Sequence, residues 1–360
     1  MSKKPKKTSA TVVLAVVLLF SGIAVIAASF GMQEWQIRQD ADEYEALMQS
    51  VKAPPQSPME ESSKPDENAA DAASTDIPMQ SEESPAGIPV STDVPMATAS
   101  PPPEQSAAPV SDAASRTAAS GASGIDLAAC KAQNSDFIAW LQIPGTSVNY
   151  PVVQTTDNTK YYRMNFEGEY SEHAVPFVDA SDDLQKPSTN VIVYGHNIRT
   201  DGQMFNILKG YTDLSFYQEH SVIDFNSVYH DGQYKIISVF YTNTHAEHGK
   251  IFPYHEFIDA QDPQQTQDYI DSVLVRSIIN TGVDVRSDDQ LLTLSTCSYE
   301  FKDARFVVVA RKVRKGESAS VDTSAAVMNP NPLYPDVWYQ LFGGTKPDEA
   351  QLKAALHSAS

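Results

Sequence analysis

The stretch LLTLSTCSYEFKDARFVVVARKV (291–313) sets two apolar, β-branched runs on either side of a short polar turn. LLTLSTC leads into Cys297, SYEFKDA turns the chain, and Arg305 opens a second run that ends at Val313. Runs of this length and composition, bounded by turn residues, predict strands. Antiparallel pairing of the two would bring Cys297 and Arg305 together at one rim. A guanidinium beside a thiol favours the thiolate. The same group, permanently charged and rich in donors, suits a developing oxyanion.

Working outward, VNYPVV (148–153), AVPFVD (174–179), NVIVYGH (190–196), SVIDF (221–225) and YKIISVFYT (234–242) read as further strands. Helical patterns are fewer: 125–141, 200–209 and 263–280, the last with Pro263 at its start and Gly282 beyond its end. Several strands lack polar alternation, so the expected fold is mainly β, a closed barrel with a few peripheral helices. NVIVYGHN (190–197) supplies a histidine at a strand end, with Gly195 leaving room beside it. Cysteine, histidine and arginine together can form a thioester and protonate its leaving amine. From the residues alone, Cys297 has three readings: a small buried hydrophobe, half of a disulfide with Cys130, or a nucleophile. His196 is equally readable as a hydrogen-bonded surface residue.

The N-terminal third has a different composition. No charged side chain occurs from Thr8 to Gln33, and Ala10 to Phe30 is mostly Ala, Val, Leu and Ile. Twenty-one helical residues cover roughly 31 Å, the thickness of a bilayer's hydrocarbon core. Lys3, Lys4, Lys6 and Lys7 precede this run and five acids follow it by residue 45, which predicts a cytoplasmic N-terminus and an external remainder. A cleaved signal peptide is the competing reading. Residues 51–124 hold 11 acids against 3 bases, 12 of the 23 prolines and no aromatic residue. Such a segment cannot bury enough apolar surface to offset its ordering entropy, and is expected to be a disordered stalk or a glycosylated one. The chain's net charge of −20 argues against nucleic acid as a partner. The expected boundaries are 1–33 for the basic stub and membrane helix, 34–123 for the juxtamembrane segment and stalk, 124–315 for the catalytic domain, and 316–360 for a C-terminal extension.

TLSTC with an arginine eight positions later, and YGHN upstream, resemble the signature of the sortases, membrane-anchored cysteine transpeptidases of Gram-positive bacteria. NYPVVQTTDNTKYY (149–162), NFEGEYSEHAVPFVD (165–179) and YGHNIRTDGQMFNILKGYTDLSFYQEH (194–220) are similar to segments of the class B members. The resemblance implies Cys297 as nucleophile, His196 as general acid and base, and Arg305 as the group that binds substrate carbonyls and stabilises the oxyanion. It further implies that Asn158 and Tyr162 line the substrate groove, with Tyr194, Ser295 and Thr296 flanking the catalytic groups. Tyr162 stands where aliphatic residues are common, and Ser298 follows the cysteine where acids or threonine often occur, so the preferred motif is open. The implied reaction cleaves an Asn-Pro-x-Thr-like sorting signal in surface proteins and joins the threonine carbonyl to a cell-wall precursor or pilin amine. No cofactor and no metal is expected.

The contrasting reading is a non-enzymatic, stalked surface-binding module. His245, His248 and His255 match no common metal-ligand spacing. The tail NPNPLYPDVWYQLFGG (329–344) carries four aromatic residues and is too apolar for a simple disordered end. It is expected to pack on the barrel, with docking or covering of the groove as the competing role.

Overall fold

A computed structural model describes residues 46–52 and 124–358. The membrane helix expected over residues 10–30 lies outside the described residues, as does the stalk from residue 53 to 123. Among the described residues, no helix is long and apolar enough to cross a membrane. In chain order the elements are α1 (Leu127–Gln133), β1 (Phe137–Gln142), β2 (Asn149–Val153), β3 (Phe177–Val178), β4 (Asn190–Tyr194), α2 (Leu214–Glu219), β5 (Val222–Ser227), β6 (Gln233–Asn243) and α3 (Pro263–Leu274). They continue with β7 (Ile279–Asn280), β8 (Leu291–Ser298), β9 (Ala304–Lys312), β10 (Val327–Met328), α4 (Asp336–Phe342) and α5 (Glu349–Ser358). Eight of the described strands close into a barrel in the order β1-β2-β3-β4-β8-β9-β6-β5. The β2–β3 and β4–β8 pairs are parallel and the other neighbours antiparallel.

Burial on both faces explains why the strands lack polar alternation. Val191, Val193, Leu292, Leu294, Phe306 and Val308 fill the interior. On the outside, Ile237, Phe240, Leu291, Val307 and Val309 pack under Tyr269, Ile270 and Val273 of α3. That helix starts where the sequence places it, with the Asp262 side chain accepting from the Gln265 amide and Pro263 in the first turn. It stops at Leu274 and not near 280. The Ser277 hydroxyl turns back onto the Ile279 carbonyl, and Ile279–Asn280 pairs with β10.

Two other helical expectations are corrected. The 125–141 pattern divides into α1 and β1 because Asn134 ends the helix, its Oδ1 accepting from the Asp136 amide. The apolar run Phe137–Leu141 then enters the barrel, a case in which periodicity alone cannot separate a buried strand from a buried helix. The 200–209 segment becomes a 3-10 helix over Phe205–Thr212, with Gly202 at φ 75° and Met204 at φ 55° breaking the chain before it. The C-terminal segment does pack on the body. The Asn329 and Leu333 amides donate to the Ile278 and Val275 carbonyls, and Glu349, Lys353 and His357 of α5 meet Arg276, Ser272 and Asp271.

The domain expected to begin at residue 124 also takes in residues 46–52. Residues 46–51 are helical, and Leu47 and Val51 are buried against Ile125, Cys130, Phe137, Trp140, Val153 and Tyr161. Lys52 bridges Ile125, and the Asp126 amide donates to the Val51 carbonyl at 2.7 Å. Residues 53–123 therefore connect two points that are themselves paired. Cys130 is free and buried within this cluster, which removes the disulfide reading; burial pushes its thiol up to about 12. Full burial of one such side chain contributes on the order of 1.5–3 kcal/mol. Leu47→Ala in the full chain is expected to lower the unfolding free energy by about 2 kcal/mol. Chemical denaturation measures this, and an unchanged midpoint would show that the segment adds nothing to the core.

Candidate active site

The β8–β9 hairpin sets Cys297 directly opposite Arg305, and Thr242 of β6 stands on the other side of Arg305. Directly opposed residues share a face, with Cβ atoms about 4.5–5.5 Å apart. The sequence expectation for this pair is therefore met. Cys297 is half-buried, unlike Cys130, and so can meet a substrate.

The third group arrives from β4. Its parallel pairing with β8 aligns Tyr194 with Ser295, and two residues beyond each lie His196 and Cys297. Past the last strand pair, the two chains are held by further bonds. The Gly195 amide donates to the Ser295 carbonyl (3.1 Å), the Thr296 hydroxyl to the Gly195 carbonyl (2.7 Å), and the Asn197 side-chain amide to the Cys297 carbonyl (2.8 Å). Asn206 Nδ2 donates to Asn197 Oδ1 at 2.6 Å, which fixes the orientation of that amide. Gly195 is required by packing: a Cβ there would stand 2.6–2.8 Å from the buried ring of Phe205.

His196 Nε2 lies 2.8 Å from the Tyr162 carbonyl, and the two rings meet edge to face at 5.0 Å. Burial holds the imidazole pKa below its usual value, and the positive charges of Arg163 and His173 push the same way. The Tyr162 carbonyl opposes them by accepting a hydrogen bond from the ring.

The remaining sequence candidates divide by exposure. Tyr162 is 53% exposed at the mouth of the site. Ser295 and Thr296 are buried behind it with both hydroxyls engaged, so they support the site from within. Asn158 and Tyr194 converge on Asp179, which accepts from Asn158 Nδ2 at 2.9 Å and from the Tyr194 hydroxyl at 2.8 Å. Asn158 Oδ1 in turn takes the Ala180 amide.

Sequence reasoning missed two members of this set. Asp179 closes the VPFVD run, and an acid at the end of an apolar strand was the only available signal. Tyr254 lies in the β6–α3 connection, and its buried hydroxyl bonds Ser295 Oγ at 2.6 Å, close enough to Arg305 and Cys297 to feel both. No motif marks it. His245 and His248 do not converge with His255; they sit 3.4 Å from Asp303 and 3.6 Å from Glu247. Among the described residues no group of three or more His, Cys, Asp or Glu is placed to hold a metal ion.

Comparison with known proteins matches residues 141–313 to the sortase domain family. Sortase B of Staphylococcus aureus is 33% identical over 183 residues, which span 50% of this chain and 72% of that protein. Sortase B of Listeria monocytogenes is 30% identical over 186 residues, 51% of this chain and 72% of that protein. A solved Staphylococcus aureus sortase B–substrate complex aligns over 52% of this chain and 85% of its own, with 32% identity and a TM-score of 0.48.

The electrostatics of His196 can be tested directly. Arg163→Gln removes a positive charge that disfavours the imidazolium, so the His196 titration midpoint is expected to move to higher pH. Imidazole proton resonances followed by NMR across the titration measure this. A midpoint that stays in place or moves down would contradict the charge placement.

Proposed function

Since this chain belongs to the sortase family and is similar to its class B members, we propose that Cys297, His196 and Arg305 together catalyse its transpeptidation. The observation that carries the assignment is the cross-strand pairing of Cys297 with Arg305, with the His196–Asn197 segment bonded to the Cys297 carbonyl. Family membership sets aside the non-enzymatic binding module.

The substrate is a surface protein bearing an Asn-Pro-x-Thr-like sorting signal. The Cys297 thiolate attacks the threonine carbonyl carbon, and the electron pair of that carbonyl moves onto oxygen. Arg305 meets the oxyanion with a planar set of donors. When the tetrahedral intermediate collapses, the C–N bond breaks and His196 gives its proton to the departing amine. A cell-wall or pilin amine then attacks the thioester, losing its proton to His196, and the C–S bond breaks to return the thiolate. Water in place of the amine gives hydrolysis. A depressed His196 pKa leaves little imidazolium at neutral pH, so only a fraction of the enzyme holds the reactive pair of protonation states.

Tyr162 is the exposed groove contact, and Asp179 holds Asn158 and Tyr194 along the same wall. Residues 10–30 form the membrane anchor, with the catalytic domain outside the cell and the N-terminus in the cytoplasm. Docking of residues 46–52 on the barrel supports a short tether. Residues 34–45 number 12, and even fully extended they reach only about 40 Å.

Cys297→Ala is expected to abolish thioester formation, and His196→Ala to leave almost no turnover. Arg305→Lys keeps the charge and loses the planar fork, so it is expected to lose about 10²–10³ in rate with folding intact. Cleavage of an Asn-Pro-x-Thr peptide and mass spectrometry of the acyl-enzyme measure these effects. A thioester on any residue other than Cys297 would overturn the assignment. For the topology, protease added to intact protoplasts is expected to remove the domain, and full protection would reverse it.

A further inference from the structure

The C-terminal segment beyond residue 315 lies outside the stretch matched by the family, and the mechanism above makes no use of it. Its most apolar part meets the barrel beside the reacting pair. Trp338 of α4 stacks on Tyr334 at 4.1 Å and 11°, and its other close neighbour on the barrel is Tyr241 of β6, at 5.1 Å. Tyr241 is paired across the sheet with Phe306, one residue from the Thr242–Arg305 pair, and its ring packs on Phe306 at 4.9 Å.

The hydroxyl of Tyr241 is the informative atom. It donates to Glu300 Oε1 at 3.3 Å, and Glu300 sits in the β8–β9 turn three residues after Cys297. Glu300 Oε1 also takes Lys209 at 2.7 Å, from the 3-10 helix that follows the His196 segment. Its Oε2 accepts from the Ser298 hydroxyl and from the Tyr299 amide. Tyr299 in turn donates its hydroxyl to the Asn197 carbonyl at 3.2 Å, beside His196. One carboxylate thus collects the turn after the nucleophile, the strand next to Arg305 and the helix behind the histidine. Its link to β6 is the phenol that Trp338 covers.

We propose that Tyr241 is a positioning residue for the Cys297–Arg305 hairpin, acting through Glu300, and that the C-terminal segment sets its position by seating Trp338 on its ring. The segment is independently fastened to the body at β7–β10 and through Arg276–Glu349, so Trp338 presses from a fixed base. The proposal rests on Cys297 and Arg305 being the reacting pair.

Tyr241→Phe removes one hydroxyl and keeps the ring stack. It is expected to lower kcat about 3- to 10-fold with KM for the sorting peptide unchanged, because the loss is one of alignment in the transition state. Trp338→Ala is expected to lower kcat in the same way, and Trp338→Phe to restore it. Combined with Tyr241→Phe, Trp338→Ala is expected to add little, since both act on one contact. Leu341→Ala, on the exposed side of α4, serves as the control with unchanged rate. Thermal unfolding of each variant checks that the fold is kept.

An unchanged kcat in Tyr241→Phe overturns the proposal, as does a raised KM with constant kcat, or full additivity in the double variant. If wild-type enzyme forms no thioester on Cys297, the site assignment fails and this proposal fails with it. If that thioester forms and Tyr241→Phe turns over normally, only the positioning role is lost.

Discussion

The parallel pairing of β4 with β8 is the constraint on which the site depends. It places Tyr194 beside Ser295, so the two chains leave the sheet at the same rim with His196 and Cys297 each two residues further on. Parallel neighbours need a long crossover and cover on both faces. The crossover between them contains α2, β5, β6 and α3, and it supplies that cover: the barrel interior on one side, and Tyr269, Ile270 and Val273 of α3 on the other. The same crossover delivers Tyr254 to Ser295. Fold and site are thus built by one connection.

Polar groups at the rim serve mainly to fix the chain segments that hold His196 and Cys297. Ser295, Thr296, Asn197 and Asn206 are bonded to neighbouring segments or to each other, so little of their hydrogen-bonding capacity is left free. This is what buried polar side chains require, since an unpaired one carries its full desolvation cost. It also leaves Cys297, Arg305 and the exposed ring of Tyr162 as the groups that face outward. Asp179 acts similarly, one carboxylate oxygen holding both Asn158 and Tyr194.

Segments from both ends of the chain extend the domain past the boundaries expected for it. Leu47 and Val51 complete a cluster around Trp140 and Phe137 that the barrel strands leave open. At the other end, Glu317 makes a two-point ion pair with the fully buried Arg311, at 2.7 Å to each nitrogen, and so starts the C-terminal segment from the far end of β9. That contact holds the Glu317 carboxyl well below the usual range. From there the chain pairs with β7, brings Trp338 onto Tyr241 of β6 and ends with α5 against α3, linking the far end of the barrel to the rim that holds Arg305.

The sequence by itself determined most of the barrel strands and the opposition of Cys297 to Arg305. LLTLSTC and RFVVVARKV needed no partner to be read as strands, and a short turn between them forces an antiparallel pair, which already opposes Cys297 and Arg305. Local composition and short-range connectivity carry that information. What only the tertiary structure decided are the long-range placements: β1 as a strand within a run that reads equally as helix, Leu47 and Val51 in the core, Asp179 and Tyr254 behind the site, and Trp338 on Tyr241. Each of these depends on contacts between residues tens to more than a hundred positions apart. A side chain's neighbours at that range are set by how the barrel closes, and no local pattern records them.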